Sequence, residues 1–453
     1  MNLKNSRLKK LITMDIDNQF LSIIYFVNFS LIFITLIYMV INGPILFFSN
    51  SFILLLTLTL GLFAKPILVI INLFFLKKDF LISNNLIYHD YLMAGLIQSY
   101  LYMFFLLGFI ISIPKFKYAK LNKTVIRSQV YFSLYSRFLL IIFGVIGILG
   151  FYLSFPELAS SFNKNSISRN DLDSYNSGGH WRILIAFFLS VISLSIINIG
   201  TQSSRKNWIL LLISVFFYFL YAYISDQRGL ILMGLITIFA QYHYFVKPIP
   251  KKTFFLFFMI AFFLIAVMTT NRINASEMSV EAKILNVITN FLGRNGVEIS
   301  KTLTIINQTY QNEFLWGSPF IDSVLILVPK ILYPEKTTVN FATYIAHTYF
   351  DVKSFGSGAV PPGLIAELYV NFWYIGFCFL PFLGWFISKL DLWLIENKFG
   401  LFYKILYFNG LYSFGGAILG SSIADTITSV LISLIVLGLS YFLCKKSRKK
   451  IVD

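Results

Sequence analysis

Long apolar segments recur along almost the whole chain, and they constrain its fold more than any other feature of the sequence. Eleven of them are candidate membrane spans: 20–41, 52–76, 91–113, 134–155, 182–199, 208–224, 229–246, 254–268, 364–387, 401–419 and 426–443. Most approach the roughly 20 residues that a helix needs to cross a bilayer core. Only 13% of the 453 residues are charged, which excludes an ordinary soluble domain. The sequence predicts an all-α polytopic integral membrane protein with about 11–12 transmembrane helices and one large, partly helical extracytoplasmic segment.

The net charge of +17 follows membrane topology and does not indicate a nucleic-acid partner. Basic residues gather in the short loops 115–127, 205–206 and 247–252 and in the tail 445–453. Cytoplasmic loops carry such an excess of Lys and Arg, so these segments are predicted to face the cytoplasm. Eleven spans with an inner C-terminus would place the basic N-terminus outside. Either one span is missed, or 52–76 is not a simple crossing.

This alternation divides the chain into four parts. Residues 1–270 form an N-terminal transmembrane bundle of about eight spans, with an outer loop at 156–181. Residues 271–362 form the large extracytoplasmic segment, and residues 363–444 form the C-terminal transmembrane helices. The multi-pass pattern predicts an integral membrane protein that ends in a basic cytoplasmic tail.

Helical patterns continue within the large extracytoplasmic segment. Apolar residues recur at helical spacing over 281–292 and 297–310. The Ser-Pro pair at 318–319 is a helix start signal and predicts a helix over 320–333. A further helix is predicted over 338–350. Helices of this kind would lie on the outer leaflet or roof a cavity between spans.

Charges in the same segment are balanced, with seven basic and seven acidic residues, whereas the whole chain has 37 basic and 20 acidic ones. Cations are normally sparse on the outer side, so topology does not account for them. Each one either pairs with an acid on a solvated helix face or binds an anionic ligand. Arg272 and Arg294 are the better candidates for a ligand, because each lies near a membrane re-entry among small or polar residues.

Arg228 occupies a very short outer connection between two predicted spans. Its guanidinium presents a rigid fork of donors that suits phosphate oxygens. The alternative is an arginine that reaches lipid headgroups or pairs with Asp226. The residues alone leave both interpretations of Arg228 open.

Three further polar residues lie near the membrane surface. Glu367 and Asn371 are one helical turn apart near the outer end of a predicted span. An ionisable group there usually faces a cavity or a partner, although Glu367 could instead pair with an arginine to fix the helices. His347 is the one histidine of the extracytoplasmic segment, and it is either a structural hydrogen-bonding group or a general base.

Motifs for bound cofactors are absent from the sequence. It has no phosphate-binding glycine loop and no His-Glu-x-x-His zinc motif, so no cofactor and no metal is expected. Outer cations, interfacial helices and a polar face inside a span suit a substrate with a pyrophosphate head and a long lipid tail.

Three stretches resemble the Wzy-type oligosaccharide repeat-unit polymerases of O-antigen and capsule synthesis. Residues 363–372 with Ile375-Gly376 resemble the family's Gly-Glu-Leu-Tyr-x-Asn-Phe-Gly-x-x-Gly signature. Residues 317–319 with 328–336 resemble its Pro-Lys/Arg-x-x-x-Pro-x-Lys-Pro stretch, and 227–229 resembles a Ser-Arg-Gly that opens a span. The chain departs from these patterns at three positions: Ala366, Trp373 and Thr337.

The resemblance implies a metal-independent inverting glycosyl transfer on the outer side of the membrane. A growing chain on undecaprenyl pyrophosphate would move to a hydroxyl of a newly flipped repeat unit. Cations would stabilise the departing pyrophosphate, and His347 or Glu367 would act as the base or orienting acceptor. The implied substrate-binding residues are Arg228, Arg294, Arg272, Lys330, Lys336 and Asn371.

The implied partners are the undecaprenyl-pyrophosphate-linked oligosaccharide, membrane lipid, and a chain-length regulator and flippase of the same pathway. Three alternative functions are considered. One is a ligase of related fold that joins finished polymer to an acceptor. Another is a flippase or transporter of the lipid-linked unit, although flippases usually show paired repeats and short loops. The third is a non-enzymatic membrane scaffold, which leaves the outer arginines and lysines unexplained.

Overall fold

The structure is a computed structural model, and it describes residues 30, 34, 49–55, 57–58, 88–112, 134–162, 179–201, 204–224, 228–250, 252–253, 256, 299–309, 313–325, 327–328, 332–333, 341–350, 360–395, 400–411, 414 and 422–444. About 89% of these residues are helical, and none of them lies in a strand. The prediction of an all-α chain is therefore confirmed for the part that is described.

The N-terminal part contains five long helices among its described residues, and each overlaps one predicted span. They are α1 (Tyr88–Ser112), α2 (Leu134–Phe162), α3 (Gly179–Thr201), α4 (Arg205–Ile224) and α5 (Arg228–Phe245). All five are apolar around most of their circumference, as expected of helices that face lipid or other spans. Helices α2, α3 and α4 pack against one another in sequence, and α3 also contacts α5.

Three shorter helices follow among the described residues of the segment predicted to be extracytoplasmic: α6 (Ile299–Thr309), α7 (Ser318–Leu325) and α8 (Phe341–Phe350). The predicted helix over 320–333 is wrong in length. It begins at Ser318 and ends at Leu325, where the amides of Leu327 and Val328 bond carbonyls three residues earlier and close the last turn. The predicted helix over 281–292 lies outside the described residues.

The C-terminal part contains α9 (Leu364–Phe372), a 3₁₀ turn (Trp373–Cys378), α10 (Phe379–Leu390), α11 (Leu392–Ile395), α12 (Leu401–Leu406), a π-helical segment (Tyr407–Leu411) and α13 (Ile423–Cys444). The single span predicted over 364–387 is therefore broken after Phe372. The α-helix ends there because Trp373 has a φ of 54° and cannot continue a right-handed helix. A glycine at Gly376 then lets the turn lie directly on the Leu368 carbonyl.

Five described segments are long and apolar enough to cross a membrane: Ala94–Ser112, Leu184–Thr201, Arg205–Tyr223, Leu364–Leu394 and Ile423–Cys444. The chain thus has the helices of a membrane protein, and each of the five overlaps a predicted span. In Leu364–Leu394 the 3₁₀ turn interrupts the α-helix but not the apolar segment. The Leu184–Thr201 segment is the most enclosed, with 72% of its apolar window buried. Helix α3 is therefore the centre of the bundle around which α2, α4 and α13 pack.

Two apolar clusters position the candidate site. The larger one runs through the long helices, including α10, which packs along α1. The smaller one joins α6, α8, α9 and α13 through Ile305, Ile345, Val370 and Ala424, all of which are fully buried. The short helices are therefore packed on the N-terminal turns of two long segments.

Candidate functional site

Glu367 occupies the centre of the junction between α9 and α13. It is fully buried, and its carboxylate lies on the first turn of α13. Oε2 accepts the backbone N–H of Ile423 at 2.6 Å, and Oε1 accepts the N–H of Ala424 at 3.0 Å and the hydroxyl of Ser422 at 3.2 Å. A helix N-terminus offers unpaired amides and a partial positive charge, so it can hold a buried carboxylate where an arginine would otherwise be needed. The partners of Glu367 are therefore the N-terminal groups of a helix.

Asp425 also binds the N-terminus of a helix with its carboxylate, in this case α8. It stands on the first turn of α13, and its carboxylate accepts the backbone N–H of Phe341 at 3.1 Å and of Ala342 at 3.3 Å. These are the first two residues of α8. The carbonyl of Ala342 accepts the N–H of Val360 at 3.0 Å, which fixes the chain just before α9. Helices α9, α13 and α8 are thus joined in series by two carboxylates.

His347 lies in the last turn of α8 and is partly buried. The neighbouring side chains Ile345 and Tyr349 are buried in the small apolar cluster, so the helix that carries the histidine is packed in place. Asp425 holds the other end of the same helix. The structure therefore places His347 on an element that is positioned from Glu367 by way of α13.

Asn371 connects the other side of α9 to the chain before α7. Its Nδ2 donates to the Glu367 carbonyl at 2.9 Å, and its Oδ1 accepts the N–H of Gly317 at 3.2 Å. Its own carbonyl accepts the N–H of Trp316 at 3.0 Å. Gly317 has a φ of 83°, and an added Cβ there would lie 3.2 Å from the Phe372 ring. Oδ1 and the backbone carbonyl of Asn371 thus dock the chain at 316–317, and the bond of Nδ2 within α9 fixes the orientation of the amide.

Five other residues were predicted to bind substrate, and the structure describes one of them. Arg228 is the first residue of α5, so it lies at a helix N-terminus as the short connection implied. The other four lie outside the described residues: Arg272, Arg294, Lys330 and Lys336. The prediction that they bind pyrophosphate stays a prediction. Among predicted site residues, Glu367 and Asn371 are brought together on α9, and His347 is linked to them through α13.

A second buried carboxylate, which the sequence did not single out, lies near the other end of the α9–α11 segment. Asp391 follows α10 and accepts the Tyr407 hydroxyl at 2.6 Å and the backbone N–H of Ser51 at 3.3 Å. The Tyr407 oxygen also accepts the N–H of Asn50. Asn50 and Ser51 are the first helical residues after Ser49, whose hydroxyl accepts the N–H of Phe52 at 3.1 Å. Asp391 and Tyr407 therefore hold the start of this helix.

One signal could have found the Asp425 part of the junction. Ser422-Ile423-Ala424-Asp425 is a Ser-x-x-acid pattern before an apolar run, which is the sequence form of a capping box. The Ser422 hydroxyl accepts the Asp425 N–H at 3.2 Å, as that motif requires. The Asp425 carboxylate turns to α8 instead of returning to Ser422. No local pattern could have predicted that long-range partner.

A metal site is not evident in the described part of the chain, where no group of three or more His, Cys, Asp or Glu side chains could hold an ion. A scan against protein-family models found no match, and searches of the curated proteins and of the solved structures found no significant match.

Proposed function

We propose that this chain polymerises undecaprenyl-pyrophosphate-linked oligosaccharide repeat units on the outer face of a bacterial cytoplasmic membrane. The observation that supports this most is the meeting of two stretches that carry the resemblance. The turn at 317–319 is bonded to Asn371 of the 363–372 stretch, 54 residues away, through the Gly317 N–H. Two separate motif-like stretches that build one junction are expected of a common site.

The proposed reaction is an inverting glycosyl transfer. A hydroxyl oxygen of the acceptor repeat unit attacks the anomeric carbon of the growing chain, while the bond from that carbon to pyrophosphate breaks. The pyrophosphate leaves with the electron pair, and fixed cations stabilise its growing charge in a site of low dielectric constant. Arg228 and Arg294 are the first candidates for this role, and Arg272, Lys330 and Lys336 are further ones.

The hydroxyl proton needs an acceptor within hydrogen-bond reach. In this proposal His347 receives it, because α8 is held in place at its first turn by Asp425 and along its length by the small apolar cluster. Glu367 and Asn371 act as positioning residues. Both carboxylate oxygens of Glu367 are engaged with α13, and both ends of the Asn371 amide are engaged within the protein.

The test is reconstitution of the purified full chain in lipid vesicles, with synthetic lipid-linked repeat units added from outside. A ladder of products on a gel is the expected result. A ligase would leave single units in the absence of its acceptor, and a flippase would translocate them without joining them. Either of these two results would overturn the proposal.

The residue roles are tested separately in cells. Arg228→Ala and Arg294→Ala are expected to abolish polymer while the lipid-linked single repeat accumulates. Arg205→Ala is the matched control for Arg228, because each arginine is the first residue of a long helix and Arg205 belongs to a predicted cytoplasmic loop. Long polymer in both arginine variants would exclude their role.

A further inference from the structure

An exposed apolar surface runs beside the junction, along the loop before α7, α7 itself and the 3₁₀ turn after α9. We call it the aromatic edge, and it consists of Trp316, Ile321, Val324, Trp373 and Tyr374. Trp316 is 70% exposed and Ile321 63%, and the other three are between 43% and 53% exposed. Five exposed apolar side chains on two segments that are bonded to each other through Asn371 indicate a contact that the chain alone does not satisfy.

The two tryptophans share an unusual backbone conformation. Trp316 has a φ of 50° and Trp373 a φ of 54°, and they are the only non-glycine residues of the described ranges with positive φ. This conformation is rare for a bulky residue and persists where the surroundings impose it. The Trp316 N–H bonds the Asn371 carbonyl, and the Phe314 ring centroid lies 6.3 Å from that of Trp316 and 5.9 Å from that of Trp373. Both indoles therefore pack near the same phenyl ring.

Helix α7 has two unlike faces. Pro319 and Ser323 are buried, and the Ser323 carbonyl accepts the hydroxyl of Thr428 on α13 at 2.9 Å. Ile321 and Val324, three residues apart, form a neighbouring strip that is turned away from the protein. A helix in water would carry polar residues on that strip, whereas a helix at a lipid interface carries apolar ones.

The length of the α9–α11 segment limits where the membrane can lie. From Leu364 to Ile395 the helical rise, added along the chain, is about 51 Å, which exceeds a whole bilayer with its headgroups. From Trp373 to Ile395 it is about 37 Å, which matches a hydrocarbon core of about 30 Å with part of each interface. Tryptophan and tyrosine are the residues that favour this boundary.

We propose that the aromatic edge is inserted in the leaflet nearest to α9, with Trp316 and Trp373 at headgroup level and the apolar strip of α7 in the upper acyl region. The Glu367 carboxylate then lies on the aqueous side of the two tryptophans, since six residues of helical rise correspond to about 9 Å. Stacking on a sugar ring could engage the indoles but leaves the aliphatic strip unexplained. A lipid environment explains both the exposed indoles and the exposed aliphatic strip.

Spin labels measure this insertion in the full chain. Cys378→Ser and Cys444→Ala provide a background without native thiols, and nitroxides are attached at Ile321→Cys, Val324→Cys and the exposed Glu313→Cys in phosphatidylcholine–phosphatidylglycerol vesicles. Oxygen concentrates in acyl chains and a nickel chelate stays in water. The labels at 321 and 324 are expected to collide severalfold more with oxygen than with nickel, and the label at 313 to show the reverse.

Nickel access at 321 and 324 equal to that at 313 would overturn the proposal. So would protection of these two labels by soluble repeat-unit oligosaccharide, which would identify a sugar-binding surface instead. Native fluorescence supplies a measurement that does not depend on labelling. Phosphatidylcholine brominated near the headgroup should quench wild-type emission more than that of Trp316→Phe or Trp373→Phe, and equal quenching in all three proteins would contradict insertion.

Discussion

Glu367 Oε2 accepts the backbone N–H of Ile423 at 2.6 Å and thereby joins the first turns of α9 and α13, which lie 56 residues apart in the chain. The same geometry occurs twice more, where Asp425 binds the first two amides of α8 and where Asp391 with Tyr407 binds those at Asn50 and Ser51. Each acid meets oriented N–H donors and a partial positive charge, which together offset much of the cost of burying it. Acids in these apolar segments thus position helices.

The first prediction concerns Glu367→Gln. The amide keeps one acceptor oxygen but turns its NH₂ group toward a buried N–H of Ile423 or Ala424, so two donors face each other. Because a buried group left unsatisfied costs about 1–3 kcal/mol, we expect a lower thermal midpoint in detergent, and a smaller yield of polymer in proportion. Size-exclusion chromatography after heating, with fluorescence detection, measures this.

Glu313→Gln is the matched control for that variant, because Glu313 is exposed and loses the same charge. Its thermal midpoint should equal that of the wild type. If Glu367→Gln keeps the wild-type midpoint and still makes no polymer, the carboxylate acts in the chemistry and not as a cap.

The second prediction separates Asp425 from Glu367. Asp425→Ala removes both acceptors of the Phe341 and Ala342 amides, so the first turn of α8 should open more often. Loss of a helix cap costs about 0.5–2 kcal/mol. Hydrogen exchange should therefore accelerate over 341–350 while exchange in α3 is unchanged. Ser429→Ala, one turn further along α13, is the control, and equal protection of α8 in both variants would contradict the capping role.

The sequence predicts the helices and the polar residues of this junction, but not the partners of those residues. Apolar length located the long helices, because crossing lipid leaves little choice of pattern. The sequence also indicated that Glu367 and Asn371 share a face of one segment. It could not supply their partners, Ile423 and Gly317, since these bonds are made between backbone amides and residues about 55 positions away. A backbone N–H donor cannot be recognised from the type of residue that carries it.

The break after Phe372 and the shorter α7 escaped prediction for a related reason. The apolar run continues through Trp373 without a proline or glycine at that position, so periodicity alone indicates one span. The left-handed conformation of Trp373 is a property of the packed junction. The large apolar outer surface of α7 is similarly uninformative about where the helix stops, because lipid and protein interior favour the same residues.

The third prediction concerns the coupling of Asp391 with Tyr407. Tyr407→Phe removes the hydroxyl that donates to Asp391 Oδ1 and accepts the Asn50 N–H. A loss of about 1–3 kcal/mol is expected for the buried groups left behind. In a double-mutant cycle with Asp391→Asn, the double variant should lose less stability than the sum of the losses of the two single variants. Tyr403→Phe on the exposed side of α12 is the control, and fully additive effects would show that the pair is not coupled.

The fourth prediction tests the contact of α1 with α10, on which the α9–α11 segment rests. A Cβ added at Gly108 would overlap the Pro381 carbonyl, and one added at Gly384 would overlap the Phe105 carbonyl and lie 2.9 Å from the Phe109 nitrogen. Small residues allow such close helix contact in membranes. Gly108→Ala and Gly384→Ala should therefore each destabilise the fold by about 1–3 kcal/mol, because the two backbones must separate.

Gly438→Ala is the matched control for both variants, since a Cβ on this α13 glycine meets nothing within 4 Å. Alanine favours a helix over glycine by up to about 1 kcal/mol, so this control should be neutral or stabilising. Thermal midpoints in the same detergent compare the three proteins directly. A stabilising effect of Gly384→Ala similar to that of Gly438→Ala would mean that α1 and α10 are not in backbone contact. The α9–α11 segment would then be positioned by two other contacts, the bonds of Glu367 to the first turn of α13 and the bond of Asp391 to the Ser51 N–H.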